Sequence, residues 1–228
     1  MYKTLAVIAV TLLSSTAYSD SFIKDSKRQF RTETGISINA VSSWDISGRN
    51  GSKIEVNSDT GWGFLLGYNF NEHFNFAFEY TDNSQRYEAL IVPLDPSNPS
   101  NLAGTPFTIN HKLTNEVLNF NFTYNILAKT LTPFVNGGLG WSLLDSNVRS
   151  SDINSACWWD PWWGYTCSQY YSTYSDTSFS YSIGGGVRWE LTPNFVLKAS
   201  INQRWLDIDT LGGTPEMQYG KLDFAWML

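Results

Sequence analysis

The chain has 228 residues and a formal net charge of −6, which argues against nucleic-acid binding because that function needs a basic face. Charged residues make up only 16% of the chain, which also contains 10 Trp, 12 Tyr and 14 Phe. Disordered chains are highly charged and poor in aromatic residues, so this composition indicates a folded protein. The mean hydropathy of −0.24 suggests a soluble protein, but the order of the residues indicates otherwise.

Residues 1–19 have the pattern of a secretory signal peptide. Lys3 precedes an apolar run at residues 5–13, and small residues follow the run. About nine apolar residues are too few to cross a bilayer as a helix, which needs roughly 20; a buried N-terminal helix is the alternative. Residues 20–33 contain four basic residues without apolar periodicity. We interpret them as a solvated periplasmic leader, with a basic arm that touches a partner as the alternative.

From residue 34 onwards, apolar and polar residues alternate with a period of two, which predicts β-strands. The alternation occurs at residues 36–44, 62–70, 74–80, 118–126, 135–143, 179–189, 195–201 and 222–228. These stretches are close to the roughly ten residues that a tilted strand needs to cross a bilayer. No transmembrane helix is predicted, because no later segment has 18 uninterrupted apolar residues. A membrane protein with this sequence would therefore be a closed barrel.

The predicted connections alternate strictly between short and long. The short ones lie near residues 71–73, 127–132 and 191–194, and the long ones near residues 46–58, 82–110, 145–177 and 206–216. An up-and-down barrel in the outer membrane has its short turns at one rim and its long loops at the other. We therefore predict an all-β fold, an eight-stranded antiparallel up-and-down transmembrane β-barrel over residues 34–228.

Alternation alone does not distinguish a lipocalin, whose apolar rows face inward, from a membrane barrel, whose apolar rows face outward. Two features favour the membrane barrel. The rows opposite the apolar ones are rich in Gly, Ser and Asn, which suit a narrow packed interior. Aromatic residues also lie near the ends of the apolar rows, where a membrane barrel has its girdles. The predicted girdle residues are Trp44, Trp62, Phe70, Phe74, Tyr80, Tyr124, Trp141, Trp189, Trp205 and Trp226.

The predicted lumen contains acidic and basic side chains. Unpaired charges are costly inside a barrel, so these side chains are expected to form an interior charge network. The network comprises Glu79, Arg188, Glu190, Lys198, Arg204 and Asp223. Asp45 and Lys221 lie on the same rows, and we interpret them as rim residues that face water.

The third long connection contains both cysteines, Cys157 and Cys167. In an exported chain this arrangement predicts a disulfide that closes a small ring, and no metal site is predicted because no His or further Cys lies nearby. The ring carries Trp158, Trp159, Trp162, Trp163 and Tyr165. These residues form either an exposed knob that binds a glycan, a lipid headgroup or a host surface, or a ring that packs over the barrel mouth or in the lipopolysaccharide interface. We prefer the second interpretation.

Two segments carry a resemblance to a known family: TPFVNGGLG at residues 132–140 and the closing LDFAWML at residues 222–228. With them, the chain resembles the small eight-stranded outer-membrane β-barrels of Gram-negative bacteria, of the OmpA/OmpX-type and OmpW-like kinds. The resemblance implies export to the cell outer membrane, with outer-membrane lipid, lipopolysaccharide and the outer-membrane assembly machinery as partners. The implied assembly signal is Leu222, Phe224, Trp226 and Leu228, although such signals usually end in Phe or Trp rather than Leu.

Barrels of eight strands are only wide enough to be filled by side chains, which excludes general diffusion of solutes. We expect a structural or surface-binding barrel with long extracellular loops; a narrow channel for ions or small hydrophobic molecules is the alternative. A lipid-modifying enzyme at the rim is less favoured, because His111 has no Ser at the neighbouring position. We therefore predict no catalytic residues and no cofactor.

Overall fold

A computed structural model describes residues 23–47, 51–92, 94–95, 98–102, 104–149, 154–162, 164–170, 173–207 and 215–228. The predicted signal peptide at residues 1–19 lies outside these ranges, as do the first three residues of the predicted leader. Nowhere in the described ranges is there a helix long and apolar enough to cross a membrane.

The described residues form fourteen β-strands. They are β1 (Thr32–Val41), β2 (Trp44–Ser47), β3 (Lys53–Val56), β4 (Asp59–Asn69), β5 (Phe74–Ile91), β6 (Leu94–Asp95), β7 (Asn98–Leu102), β8 (Phe107–Asn125), β9 (Leu131–Arg149), β10 (Asn154–Asp160), β11 (Gly164–Tyr170), β12 (Thr173–Thr192), β13 (Phe195–Asp207) and β14 (Glu216–Met227). Strands β1, β4, β5, β8, β9, β12, β13 and β14 pair antiparallel in this order, and β14 pairs with β1 to close the barrel. This confirms the predicted eight-stranded antiparallel barrel.

The two ends of the barrel differ as predicted. Short turns join β4 to β5, β8 to β9 and β12 to β13, and we call this rim the short-turn end and the opposite rim the long-loop end. The long connections are shorter than predicted, because much of residues 82–110 and 145–177 belongs to strands. Strand β5 continues to Ile91, β8 begins at Phe107, β9 continues to Arg149 and β12 begins at Thr173.

The strands are longer than predicted because the polarity of their two faces inverts along the barrel. On β5 the outward side chains are aromatic up to Tyr80 and mostly polar or charged from Asp82 to Glu88. The inward side chains are mostly polar up to Gln85 and apolar from Tyr87 onwards. Lipid next to the first part favours apolar side chains outside, whereas water around the second part makes the interior the apolar core. The barrel therefore has a membrane half and a water-surrounded half.

The outer surface of the membrane half carries two girdles of paired aromatic rings. At the long-loop side the paired rings, with the distance between their centroids, are Trp62 and Tyr80 (6.0 Å), Trp141 and Phe179 (6.2 Å), and Tyr181 and Trp205 (5.3 Å). At the short-turn side they are Phe74 and Tyr124 (5.0 Å), and Phe195 and Trp226 (5.5 Å). On β12, Tyr181 and Trp189 belong to opposite girdles. Their separation is about 27 Å along a strand and about 20 Å along an axis tilted by roughly 40°. This spacing is close to the apolar band of about 25 Å in outer-membrane barrels.

Trp44 does not belong to the girdle, so that prediction was wrong for this residue. The regular alternation breaks at residues 42–43, between β1 and β2, and both Val41 and Trp44 face inward as a result. The indole Nε1–H of Trp44 donates to Gln85 Oε1 at 3.3 Å. A cluster that we call the apolar cap fills the lumen at this level: Val41, Trp44, Val56, Tyr87, Ala89, Leu144, Leu206, Met217 and Tyr219.

Candidate functional site

A belt of buried ion pairs crosses the lumen near the short-turn end. Arg188 forms ion pairs with Glu33 and, at 3.3 Å, with Glu190, while Lys198 Nζ lies 2.6 Å from Glu33 Oε2. Their side chains are at most 9% exposed. Glu33 falls within the predicted leader, but β1 begins at Thr32. The signal that could have found it is the polar row of β1, which extends back to residue 33.

A second group of ion pairs lies further towards the long-loop end. Lys221 Nζ is 2.7 Å from Glu79 Oε1 and 3.3 Å from Asp223 Oδ2. The interpretation of Lys221 as a rim residue was wrong, because its side chain is only 8% exposed. Asp45 does lie at the rim, where its side chain is 62% exposed and 3.8 Å from Lys53 Nζ.

Arg204 faces the lumen but differs from the other predicted network residues. Among the described residues it has no carboxylate within ion-pair distance. Its guanidinium carbon lies 4.7 Å from the centroid of the Tyr219 ring, and Nη2 donates to the Tyr219 hydroxyl at 3.3 Å. The expectation of an acidic partner was therefore wrong for Arg204, which joins the charged part of the lumen to the apolar cap through a cation–π contact.

Residues 23–31 fold back into the short-turn end, and we call them the N-terminal plug. The Arg28 side chain is fully buried and pairs with Glu190 at 2.8 Å. Its guanidinium also donates to the backbone carbonyls of Glu72, Leu127 and Lys129 at 2.5, 2.7 and 3.1 Å. A guanidinium has five N–H donors in a fixed fork, so one side chain can hold two turns and a strand together. The interpretation of this segment as a solvated leader was wrong.

Two further residues, Arg31 and Asp25, fasten the plug. Arg31 Nη1 donates to the Pro193 carbonyl at 2.5 Å and Nη2 to the Met227 carbonyl at 2.8 Å. At the rim, Asp25 accepts a hydrogen bond from Lys129 Nζ at 2.8 Å, and this bond holds the pKa of the Asp25 carboxyl below its ordinary value. The plug thus contacts all three short turns.

Amide and hydroxyl side chains fill the lumen beside the Lys221 ion pairs. Asn136 donates to Asn202 and Asn119 donates to Asn121, both at 2.9 Å. The cavity enclosed by this layer and the Lys221 ion pairs is about 10 Å³, which is roughly the minimum for one water molecule. The lumen of the described barrel is therefore filled by the plug at the short-turn end, then by the ion pairs and amides, and then by the apolar cap.

The disulfide ring forms a β-hairpin made of β10 and β11. Cys157 and Cys167 are bonded, with Cα atoms 4.0 Å apart, and Trp159 stands opposite Tyr165 in the strand register. Trp159 is 74% exposed, Tyr165 69% and Trp162, at the tip, 88%. The interpretation that the ring packs over the barrel mouth was wrong for these residues, whereas a position in the lipopolysaccharide interface stays a prediction. Of the other predicted ring residues, Trp163 and the side chain of Trp158 lie outside what the structure describes.

We expect the disulfide to stabilise the hairpin without stabilising the barrel. Replacing both Cys157 and Cys167 by Ser removes about 3 kcal/mol of loop-closure stabilisation from the ring. Proteolysis within residues 154–170 should accelerate, while the urea midpoint of barrel unfolding should stay within experimental error. Wild-type protein under reducing conditions is the control and should behave like the double variant. A lowered urea midpoint would contradict the independence of hairpin and barrel.

His111 lies on the inward face of β8, towards the long-loop end of the lumen. Its ring centroid is 5.9 Å from that of Tyr87, and the Tyr87 hydroxyl is hydrogen-bonded to Ser146. Ser146 comes from β9, so a serine does lie near His111 although no neighbouring position in the sequence supplies it. This cluster faces the lumen and not the outer surface of the barrel. No group of three or more His, Cys, Asp or Glu side chains suited to a metal ion occurs in the described residues.

The side chains of the predicted assembly signal lie on the outside of the closing strand. Leu222, Phe224 and Trp226 lie on the outward face of β14, and Leu228 follows the strand and is 73% exposed. The strand pairs with both β1 and β13, so the signal closes the barrel. Its recognition by the assembly machinery stays a prediction.

Residues 5–224 match the family described as outer membrane protein beta-barrel domain. The chain belongs to this family. The resemblance stated from the sequence is confirmed, and the chain is an outer-membrane β-barrel protein. A sequence search of curated proteins gives no match.

Solved structures of other outer-membrane proteins are similar in fold. OprG from Pseudomonas aeruginosa is 11% identical with a TM-score of 0.52, and the comparison covers 89% of this chain and 98% of OprG. Neisserial surface protein A is 16% identical with a TM-score of 0.46, covering 87% and 96% of the two chains. Ail of Yersinia pestis, solved with the heparin analogue sucrose octasulfate, is 15% identical with a TM-score of 0.44, covering 86% and 99%. Of these three comparisons, the one with OprG is close enough to support the fold.

Proposed function

We propose that this protein is a non-conducting surface-binding barrel whose aromatic hairpin, residues 154–170, binds a ligand outside the cell. The filled lumen carries this proposal, because it removes the interior as a binding site for that ligand, and the hairpin presents the most exposed Trp and Tyr side chains among the described residues. The proposed orientation places the short-turn end in the periplasm and the long-loop end outside, as in other outer-membrane barrels.

The hairpin has the surface chemistry of a binding element. Trp159, Trp162 and Tyr165 place three large rings in water, and clustered exposed aromatic side chains mark interaction sites more often than isolated ones do. Asp160 is the only charged residue in the sequence from 154 to 170. A ligand recognised there would be held by ring stacking and hydrogen bonds rather than by ion pairs, which favours a neutral glycan.

The channel alternative requires rearrangement at several levels of the lumen. A permeating ion would have to displace the buried Arg28 side chain, pass the ion pairs of Arg188, and cross the apolar cap around Trp44. Removing one partner of a buried ion pair typically costs about 3–5 kcal/mol, and an apolar constriction excludes ions by dewetting. The packing of the lumen therefore favours a structural barrel over a channel.

The enzyme alternative depends on the Tyr87, His111 and Ser146 cluster. Tyr87 is only 7% exposed and belongs to the apolar cap. A lipid-modifying enzyme needs its reacting groups within reach of lipid on the outer surface of the barrel, whereas this cluster faces inward. We therefore propose no catalytic role for it.

The first test is single-channel recording of the refolded protein in a planar bilayer. We expect no discrete openings at physiological salt, because side chains fill the lumen at every level. The heat-dependent shift in gel mobility that folded barrels show is the control for folding. Discrete openings from folded wild-type protein would contradict a non-conducting barrel.

The second test replaces Trp159, Trp162 and Tyr165 together by Ser and measures binding to a panel of neutral and acidic oligosaccharides. Each hot-spot aromatic contributes about 2 kcal/mol or more, so we expect binding of a neutral oligosaccharide to fall by at least about 100-fold. Phe107→Ser is the matched control, since Phe107 is 50% exposed outside the hairpin. Equal binding by the triple variant and the wild type would contradict the proposal.

A further inference from the structure

The charged part of the described lumen carries one more cation than it has acids. It contains five cationic and four acidic side chains: Arg28, Arg188, Lys198, Arg204, Lys221, Glu33, Glu79, Glu190 and Asp223. Each of the four acids forms an ion pair with at least one cation other than Arg204. The excess positive charge therefore lies at Arg204, which is only 5% exposed.

The carboxylates of the lumen lie well away from Arg204. Lys221, which pairs with Glu79 and Asp223, stands opposite Ser200 in the strand register, and Ser200 precedes Arg204 by four residues on β13. Four residues of a strand span about 14 Å. Burying a charge without a counter-charge is costly. An anion from solution beside Arg204 would therefore stabilise the closed barrel.

The guanidinium of Arg204 has a donor available on one of its edges. Nη2 donates to the Tyr219 hydroxyl at 3.3 Å, whereas the buried Nε–H has no acceptor among the described residues. Nε and Nη2 lie on the same edge of the planar group, so the Nε–H also points towards the surroundings of the Tyr219 hydroxyl. That hydroxyl accepts from Arg204, and its own O–H is able to donate. An anion at this edge would accept from both side chains.

The neighbouring strand adds hydroxyl groups at the same level of the lumen. Ser182 stands directly opposite Arg204. It is 6% exposed, and its Oγ has no partner among the described residues. The Ser182 Oγ leans over Gly138, where a Cβ would lie 2.7 Å from it, and a change of the χ1 rotamer turns it towards Arg204. The surroundings of Arg204 therefore supply donors without a carboxylate.

The packing around Arg204 favours a small anion. Met217 stands opposite Arg204 in the register, and Leu206 is the next inward residue on β13; both are buried and belong to the apolar cap. They close the lumen on the side of the long-loop end, so phosphate or an organic acid would need the cap to open. Chloride is a single atom that occupies about the space of one water molecule. A water molecule would satisfy the donors but would leave the charge of Arg204 without a counter-ion.

We propose that the lumen binds one chloride ion beside Arg204. Arg204 Nε–H and Tyr219 O–H donate to the ion, and the Ser182 hydroxyl is the third donor. The ion neutralises the excess charge at the boundary between the ion pairs and the apolar cap. This inference goes beyond the proposed function and does not depend on what the hairpin binds. The ion is a fixed part of the packing, so the lumen still does not conduct.

The first measurement is urea unfolding of the wild-type protein in neutral lipid vesicles, with chloride exchanged for gluconate, a monovalent anion too large for the site. The ionic strength stays constant, so the screening of the other ion pairs does not change. A ligand that binds only the folded state stabilises that state by mass action. For a dissociation constant of about 10 mM, raising chloride from about 10 to about 500 mM should increase the folding equilibrium constant about 25-fold.

Two variants locate the effect at Arg204. Arg204→Met removes the charge and should abolish the dependence on chloride. Tyr219→Phe keeps the ring that contacts the guanidinium and removes one donor, so the affinity for chloride should fall at least about tenfold, the effect of losing one hydrogen bond to a charged group. Lys53→Met is the matched control, because Lys53 is an exposed cation that pairs with Glu55. It should keep the chloride dependence of the wild type.

Diffraction from wild-type crystals grown in bromide tests the site even if Arg204→Met does not fold. Bromide substitutes for chloride and scatters anomalously, so we expect a peak within about 3.5 Å of Arg204 Nε. A folding equilibrium of the wild type that is independent of chloride would overturn the proposal, as would equal chloride dependence in folded Arg204→Met. A bromide peak at Arg188, whose Nη1 also has no partner among the described residues, without one at Arg204 would overturn it too.

Discussion

Replacing Glu33 by Ala is expected to lower the free energy of unfolding by about 3–5 kcal/mol, the range for breaking a buried ion pair from one side. The fully buried Glu33 side chain pairs with Arg188 and with Lys198, and it also accepts a hydrogen bond from Asn69 at 2.8 Å. Its removal leaves Lys198 without this carboxylate and Arg188 with Glu190 as its remaining partner in the belt.

The measurement is urea unfolding in lipid vesicles, followed by tryptophan fluorescence. Lys53→Ala is the control for charge removal at the surface, where ion pairs contribute at most about 1 kcal/mol. Glu33→Leu combined with Arg188→Met and Lys198→Met tests the cause, because replacing a buried group of paired charges by apolar side chains is often close to neutral, and Glu190 keeps Arg28 as its partner. A loss of stability in Glu33→Ala no larger than in Lys53→Ala would contradict a buried ion-pair belt.

Replacing Arg28 by Ala is expected to cost about 3 kcal/mol and to release the N-terminal plug. Arg28 pairs with Glu190 and donates to the carbonyls of two turns, so these buried acceptors lose their donor together. Leaving buried polar groups unsatisfied costs about 1–3 kcal/mol each. Part of that cost disappears if water enters once the plug opens.

Limited trypsin digestion measures the release. Cleavage after Lys24 should accelerate at least tenfold in Arg28→Ala, because the released plug becomes an accessible substrate. Lys27→Ala is the matched control, since Lys27 is an exposed neighbour and its loss should leave Lys24 protected. We expect Arg28→Ala to remain non-conducting, because the ion pairs and the apolar cap still fill the lumen. If the rate of cleavage after Lys24 did not change, Arg28 would not hold the plug.

Much of the fold could be predicted from the sequence because two of its signals are local. The period-two alternation is set by the geometry of a single strand, and the alternation of short and long connections follows from the up-and-down order. The prediction failed where the environment changes along a strand. The apolar row of β5 passes from its outer to its inner face after Tyr80, and in the sequence this change has the same pattern as the end of a strand.

The candidate site was less predictable, because its contacts join residues far apart in the chain. Arg28 forms an ion pair with Glu190, and Glu33 forms one with Arg188. No spacing or periodicity in the sequence predicts either pair. Lys221 was assigned to the rim because the alternation predicts that the last strand begins at residue 222. The strand in fact begins at Glu216, so the barrel wall surrounds Lys221. The hairpin aromatics were identified as a group, but their exposure depends on how the hairpin folds.

The sequence by itself determined the strand number, the antiparallel order, the asymmetry of the two ends and the outward apolar band, because period, connection length and composition encode them locally. Only the tertiary structure decided that Trp44 faces inward, since the irregular backbone at residues 42–43 displaces the alternation by one residue, and such a displacement reverses the face of every later side chain on a strand. It also decided that the lumen is filled, because burial of Arg28, Glu33 and Lys221 depends on closing the barrel around them. Closure brings the charges together, and their desolvation then makes pairing necessary.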